Sequence, residues 1–222
     1  MYQRVEAVRT FRLQSTKEKT KEQASTPAIY TELRQPDSDY LAVPEVSSEL
    51  REYIPVGYLP KKIIASNLLY TIPEASSYTF GIITSKMHMA WMRSVAGRLE
   101  SRYRYSAGLV YNNYPWPESA TDKQRATVEE KAQAVLDARK PHLPPDGMST
   151  LADLYDPLSM PPELVKAHAE LDRAVEKCYR PEPFHSDRER VEFLFGLYEK
   201  LTAPLLPATP KTKRRHVPSP AS

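Results

Sequence analysis

Lys86, Arg93, Arg98, Arg102 and Arg104 fall within nineteen positions that contain one acid, Glu100, with Tyr103 and Tyr105 interleaved among them. An arginine guanidinium is a planar fork that can pair two-fold with guanine O6 and N7, and a glutamate carboxylate accepts from cytosine N4–H. Glu100, Arg102 and Arg104 alternate with Ser101 and Tyr103. On an extended segment that alternation places all three charges on one face. Such a row is suited to reading adjacent G and C. The plainer alternative is a solvated face on which Glu100 pairs with an arginine.

No other residue set offers comparable chemistry. The five histidines, His88, His142, His168, His185 and His216, lack an HExxH or a paired Cys/His spacing. His88 and His168 fall on apolar helical stripes and are expected to be hydrogen-bonded core residues. The sequence contains no GxGxxG, GxxxxGK[ST] or GxSxG, so no nucleotide loop or nucleophile elbow is expected. Cys178 lies mid-stripe and reads as a small buried hydrophobe. Asn112-Asn113-Tyr114-Pro115-Trp116-Pro117 has the composition of an amino-methyltransferase Asn-Pro-Pro-aromatic loop. Its prolines, however, adjoin neither each other nor an asparagine, so it reads as a structural joint.

The 222 residues suit one or two globular domains. Net charge is only +3, with a pI of about 8.8 and a mean hydropathy of -0.56. No apolar run is long enough to cross a membrane, and the start MYQRVEAVRTFRLQ has no apolar leader core. A single cysteine excludes an internal disulfide framework. A cytoplasmic protein is the expectation.

Proline outnumbers glycine, 21 to 6, so stiff joints punctuate the chain. Val5, Val8, Phe11 and Leu13 imply a helix with one apolar face. Short β-rich runs over 29–72, broken by Pro36 and Pro44, read as strands of a small sheet. Ile83, Met87, Trp91, Val95 and Leu99 predict one helix over 81–99, started by Thr84 or Ser85. Residues 101–117 return to a strand-like pattern. Thr121 with Gln124, and Ser186 with Glu189, form capping-box patterns. Pro161–Pro162 pre-sets a helix start. Helices starting at these three points carry apolar stripes sufficient for a small bundle. The tail from 204, with Lys211, Lys213, Arg214 and Arg215, is expected to be disordered.

Five segments together resemble the C-terminal part of MmeI-like restriction–modification proteins. They are RVEAVRTFRLQS (4–15), RQPDSDYLAVPEVSSELREYIPVGYL (34–59), IIASNLLYTIP (63–73), YTFGIITSKMHMAWMRSVAGRLESRYRYSAGLVYNNYPWPE (78–118) and LADLYDPLSMPPELVKAHAELDRAVEKCYR (151–180). Proteins of this family join an endonuclease, a methyltransferase and a target recognition domain in one chain.

The resemblance implies an α+β architecture. A small mixed α/β target recognition domain (1–117) would precede a helical C-terminal domain (118–203) and a disordered basic tail (204–222). It also implies that charged residues in the 98–105 segment help choose the bases, with Glu100, Arg102 and Arg104 foremost. Lys86, Arg93 and Arg98 are expected to contact DNA beside them. The family's methyltransferase half, with its cofactor loop and Asn-Pro-Pro-Tyr, is not within these residues. The expectation is therefore a double-stranded-DNA recognition portion of an adenine DNA methyltransferase, not catalytic alone. S-adenosylmethionine would be held by the missing half, or by a separate methyltransferase or endonuclease polypeptide. The competing readings are a functionless remnant, a subunit whose helices dock on a separate methyltransferase, and a small enzyme of another kind.

Overall fold

The structure is a computed structural model that describes residues 2–30, 34–143 and 150–205. The basic cluster 211–215 and the loop at Pro144–Gly147 lie outside the described residues, as does the tail expected to be disordered beyond 205. An N-terminal helical pair, α1 (Tyr2–Leu13) and α2 (Glu18–Glu22), leads into two small sheets. Strands β1 (Tyr40–Pro44), β3 (Gly57–Leu59) and β4 (Leu69–Pro73) form an antiparallel sheet in the order β3-β1-β4. Strands β2 (Val46–Ser47), β5 (Gly97–Leu99) and β6 (Arg102–Arg104) form the second, in the order β2-β6-β5.

Glu45 joins β1 to β2 and so lies where the sheets meet. Its amide donates to the Leu68 carbonyl at 2.8 Å, and its carbonyl accepts from the Tyr105 amide at 2.7 Å. The single helix predicted over 81–99 is two, α3 (Ser77–Ile83) and α4 (Lys86–Val95). Ser76 and Ser85 each cap one of them, and the hydroxyls of Thr84 and Ser85 turn back to the carbonyls of Phe80 and Ile82, both at 2.7 Å. Side-chain bonds to the preceding turn offer the backbone an alternative to helix continuation. The strand-like pattern expected through 117 ends at Arg104, and a π-helical turn follows over Ala107–Tyr111. Asn113 donates to the Gly108 carbonyl at 2.8 Å, as befits a joint.

The C-terminal helices are α5 (Asp122–Arg139), the short α6 (Leu151–Leu154), α7 (Pro162–Tyr179) and α8 (Asp187–Thr202). The Thr121–Gln124 capping box is complete. Ser186 caps α8, but the Glu189 carboxylate turns to the His185 amide and Arg180 instead of closing a box. The expected three-helix bundle is not self-contained. α5 packs on α7 and α3, while α8 packs on α4. Gly81 permits the approach of α3: a Cβ there would sit 2.8 Å from Val128 Cγ1.

One core runs through both halves, from Leu41, Phe80 and Trp91 to Val128, Leu171 and Leu194. Several of its polar members bond to one another, although among the described residues Nδ1 of His88 and Nδ1 of His168 are buried without a hydrogen-bond partner. His88 Nε2 meets the Tyr105 hydroxyl at 3.0 Å, and burial pushes this imidazole down to about 3. The Tyr53 hydroxyl donates to Asp172 at 2.7 Å, and the same carboxylate accepts the Lys86 amide at the start of α4. Arg139, also buried, donates to the Val56 carbonyl at 2.7 Å and to the Tyr155 hydroxyl, which meets His168 Nε2. These bonds stitch α5, α6 and α7 to the loop over 53–56. Among the described residues no helix is long and apolar enough to cross a membrane.

Candidate nucleic-acid interface

β5 and β6 form a hairpin in which Gly97, Arg98 and Leu99 face Arg104, Tyr103 and Arg102 respectively. Its loop is Glu100–Ser101, and Glu100 has φ 58. A left-handed φ in a two-residue hairpin loop is usually supplied by glycine or asparagine. A glutamate there pays roughly 1–2 kcal/mol of backbone strain. Glu100 is therefore a turn residue and not, as the alternation predicts, a member of the strand.

β6 separates its side chains cleanly. Tyr103 faces inward and is nearly buried, while Arg102 and Arg104 share the exposed face. Tyr105 continues the inner side and is buried against His88. Arg98 does not join the outer row. As the cross-strand partner of Tyr103 it lies on that side, its guanidinium 3.8 Å from the Tyr103 ring centroid, with NH1 donating to the Ser101 carbonyl.

The three exposed charges at the tip are paired. Arg102 NH2 lies 2.7 Å from Glu100, with side-chain exposures of 46% and 77%. Arg104 Nε lies 2.7 Å from Glu45, with exposures of 58% and 14%. The Arg102–Glu100 pair is exposed on both sides, and such pairs are worth about 0–1 kcal/mol, so another polar partner can displace it at small cost, whereas Glu45 is largely buried beside Arg104. Glu49 belongs to the same neighbourhood. A backbone hydrogen bond at Glu49 and the Ser101 side chain hold its carboxyl below the ordinary range, and the positive charges of Arg98 and Arg102 add to the effect.

Lys86 and Arg93 are not brought to the hairpin tip. Lys86 Nζ is 2.8 Å from Glu52, and Arg93 NH1 is 2.8 Å from Asp187 with NH2 on the Glu52 carbonyl. Both are occupied in joining α4 to the 51–53 loop, and Arg93 also joins it to α8. Glu45 and Glu49 escaped the sequence reading. Nothing local marks either, because β2–β6 pairing brings them beside residues 49 or more positions away.

Two cavities bear on whether the described residues could hold S-adenosylmethionine. One cavity of about 280 Å³, lined by Val43, Tyr70, Pro73, Tyr105, Tyr111 and Asn112 among others, has no charged side chain to meet the ligand's ammonium and carboxylate. A second, of about 250 Å³ beside Trp116 and Tyr179, is also smaller than the roughly 300–1,000 Å³ typical of ligand sites. No group of three or more His, Cys, Asp or Glu residues suited to a metal ion occurs among the described residues.

Comparison with known proteins agrees with this anatomy. Residues 1–118 match the family model for the MmeI target recognition domain, and residues 120–206 match that for the MmeI C-terminal domain. The chain is 42% identical over 200 residues to DNA methyltransferase A of Bacillus subtilis (strain 168), covering 90% of this chain and 22% of that protein. It is 46% identical to a solved structure of the Type IIL restriction–modification enzyme MmeI in complex with DNA. There the TM-score is 0.83, with 91% of this chain and 26% of that one covered. The chain thus spans about a quarter or less of the length of these relatives. With both family models matched end to end over residues 1–206, the chain belongs to the MmeI family, as its target recognition and C-terminal domains.

Proposed function

We propose that the chain is the part of a restriction–modification adenine methyltransferase that reads DNA sequence, and that the β5–β6 hairpin does the reading. The observation that carries the proposal is Glu100. A strained left-handed position is filled by a charged residue instead of glycine, and its carboxylate stands beside the exposed Arg102 fork. Local stability does not account for that choice, whereas a requirement for a carboxylate at the tip does. A two-stranded ribbon fits the major groove, where arginine pairs with guanine and glutamate accepts from cytosine.

Arg102, Arg104 and Glu100 are the proposed base contacts, with Glu45 orienting Arg104. Arg98 supports the ribbon through Tyr103. Lys86 and Arg93, expected as contacts from sequence, serve instead to hold α4. Methyl transfer would come from polypeptide outside this chain that binds S-adenosylmethionine, and the whole would act on double-stranded DNA in the cytoplasm. Salt-titrated binding of the isolated chain to duplex DNA tests the reading. Binding that weakens linearly on a log–log salt plot is expected. A chain that binds no duplex at low salt would be a remnant or a protein-docking subunit.

A further inference from the structure

α1 is a helix whose side chains take no part in the core. Its one buried residue is Arg12, whose guanidinium donates to the carbonyls of Gln23, Thr26 and Ile29 at 2.8, 2.9 and 2.8 Å. Those bonds pin the following loop against the helix end. The apolar side chains lie open instead of forming the buried face their spacing predicts: Tyr2 is 77% exposed, Phe11 75% and Leu13 56%, and Ile29 and Tyr30 beside the pinned loop are exposed as well.

At about 100° per residue, Tyr2 and Leu13 fall on one flank and Ala7 and Phe11 on the opposite one. A helix of twelve residues is marginal by itself, and one whose apolar side chains lie open on two flanks lacks the tertiary packing that supplies most helical stability. A second copy packed flat against α1 would cover one flank. A polypeptide that wraps around the helix covers both. The matched relatives have such polypeptide, since this chain accounts for only 22% of one and 26% of the other.

We infer that α1 and the adjoining Ile29–Tyr30 form a docking element, buried on both flanks by the part of the methyltransferase polypeptide outside the matched region. The element would hold the reading hairpin at a fixed position relative to the catalytic part. This rests on the proposed function in taking the chain as one portion of such an enzyme.

Two amide-exchange measurements test the inference, and neither requires DNA. In the isolated chain, α1 amides should exchange near intrinsic rates while those of α4 stay protected. Protection of α1 equal to that of α4, or a dimer in sedimentation that protects α1, would overturn the inference, the latter assigning the face to a second copy. In the second measurement, residues 1–205 replace the matched 200 residues of the Bacillus subtilis DNA methyltransferase A. There α1 should exchange at least about ten-fold more slowly than in the isolated chain, and Phe11→Asp with Leu13→Asp should restore fast exchange. Equal rates in the two settings would overturn the inference. Loss of DNA reading with α1 still protected would overturn the proposed function alone.

Discussion

Arg104 and Glu45, 59 residues apart in sequence, meet through a 2.7 Å hydrogen bond from Nε to Oε1. The sheet enforces the meeting, since Val46 faces Arg104 across the β2–β6 ladder and the Tyr105 amide is bonded to the Glu45 carbonyl. The bond engages the Nε edge of the guanidinium. Its two terminal nitrogens make no other recorded hydrogen bond among the described residues. A carboxylate half-sunk in the sheet thus fixes the plane of a fork whose far end is open.

Arg104→Ala should therefore cost about 1–3 kcal/mol at one base pair. Glu45→Gln, which keeps the shape but loses the charge that orients Arg104, should cost less at that same base pair. Selection from randomised duplexes checks this. Different base pairs affected by the two variants would break the link between the residues.

Glu100→Gly should separate stability from reading. Removing the left-handed strain is worth about 1 kcal/mol, which for a chain of this size raises Tm by roughly 2–4 °C. If Glu100 contacts a base as proposed, discrimination at one base pair should fall in the same variant. Calorimetry and selection on one preparation measure both effects. A lowered Tm would contradict the strain argument.

Asp172 gives a pH signature. Burial pushes its carboxyl up to about 6 from 3.8, against hydrogen bonds from Tyr53 and the Lys86 amide and the charge of Lys86. Between those values the folded chain holds a proton that the unfolded chain has lost. The group's contribution to stability therefore falls as pH rises from about 4 to about 6. His88, pushed down to about 3, acts in the opposite sense as pH falls below 6.5. Comparison with Asp172→Asn cancels the histidine contribution. The stability of the variant relative to the wild type should climb by on the order of a few kcal/mol across pH 4–6 and then level off. Urea unfolding at pH 4, 5, 6 and 7 reads this, and a pH-independent difference would count against it.

Gly81 and Trp91 test the shared core. Gly81→Ala places a methyl 2.8 Å from Val128 Cγ1 and 3.2 Å from Ala132 Cβ. The crowding should cost about 1–3 kcal/mol despite alanine's better helix propensity. Trp91→Ala should cost about 3–5 kcal/mol and also leaves the Val110 carbonyl without its indole donor. Each variant should unfold in one transition seen alike by probes in both halves. Two separated transitions would mean independent cores.

Periodicity and capping residues were legible where local chemistry decides the outcome. The Thr121–Gln124 box, the stripes of α5 and α7, and the strands near 40–44 and 69–73 all emerge from the sequence. The break at Thr84–Ser85 was not legible, because the apolar stripe continues across two hydroxyl residues whose side chains end one helix and cap the next. α1 misled for a different reason: its apolar residues have helical spacing but lie open instead of joining the core. At the hairpin, alternation located Arg102 and Arg104 on one face. It misplaced Glu100, because a glutamate carries no turn signal, and it gave no hint of Glu45, whose role depends on pairing between distant strands.

The base preference of Arg102→Ala, measured beside the wild type by selection from randomised duplexes at fixed salt, tests the reading hairpin most directly. The account predicts lost discrimination at one base pair, with affinity for unrelated DNA nearly unchanged. A uniform loss across all sequences would show Arg102 to be a phosphate contact and would contradict base reading by this hairpin.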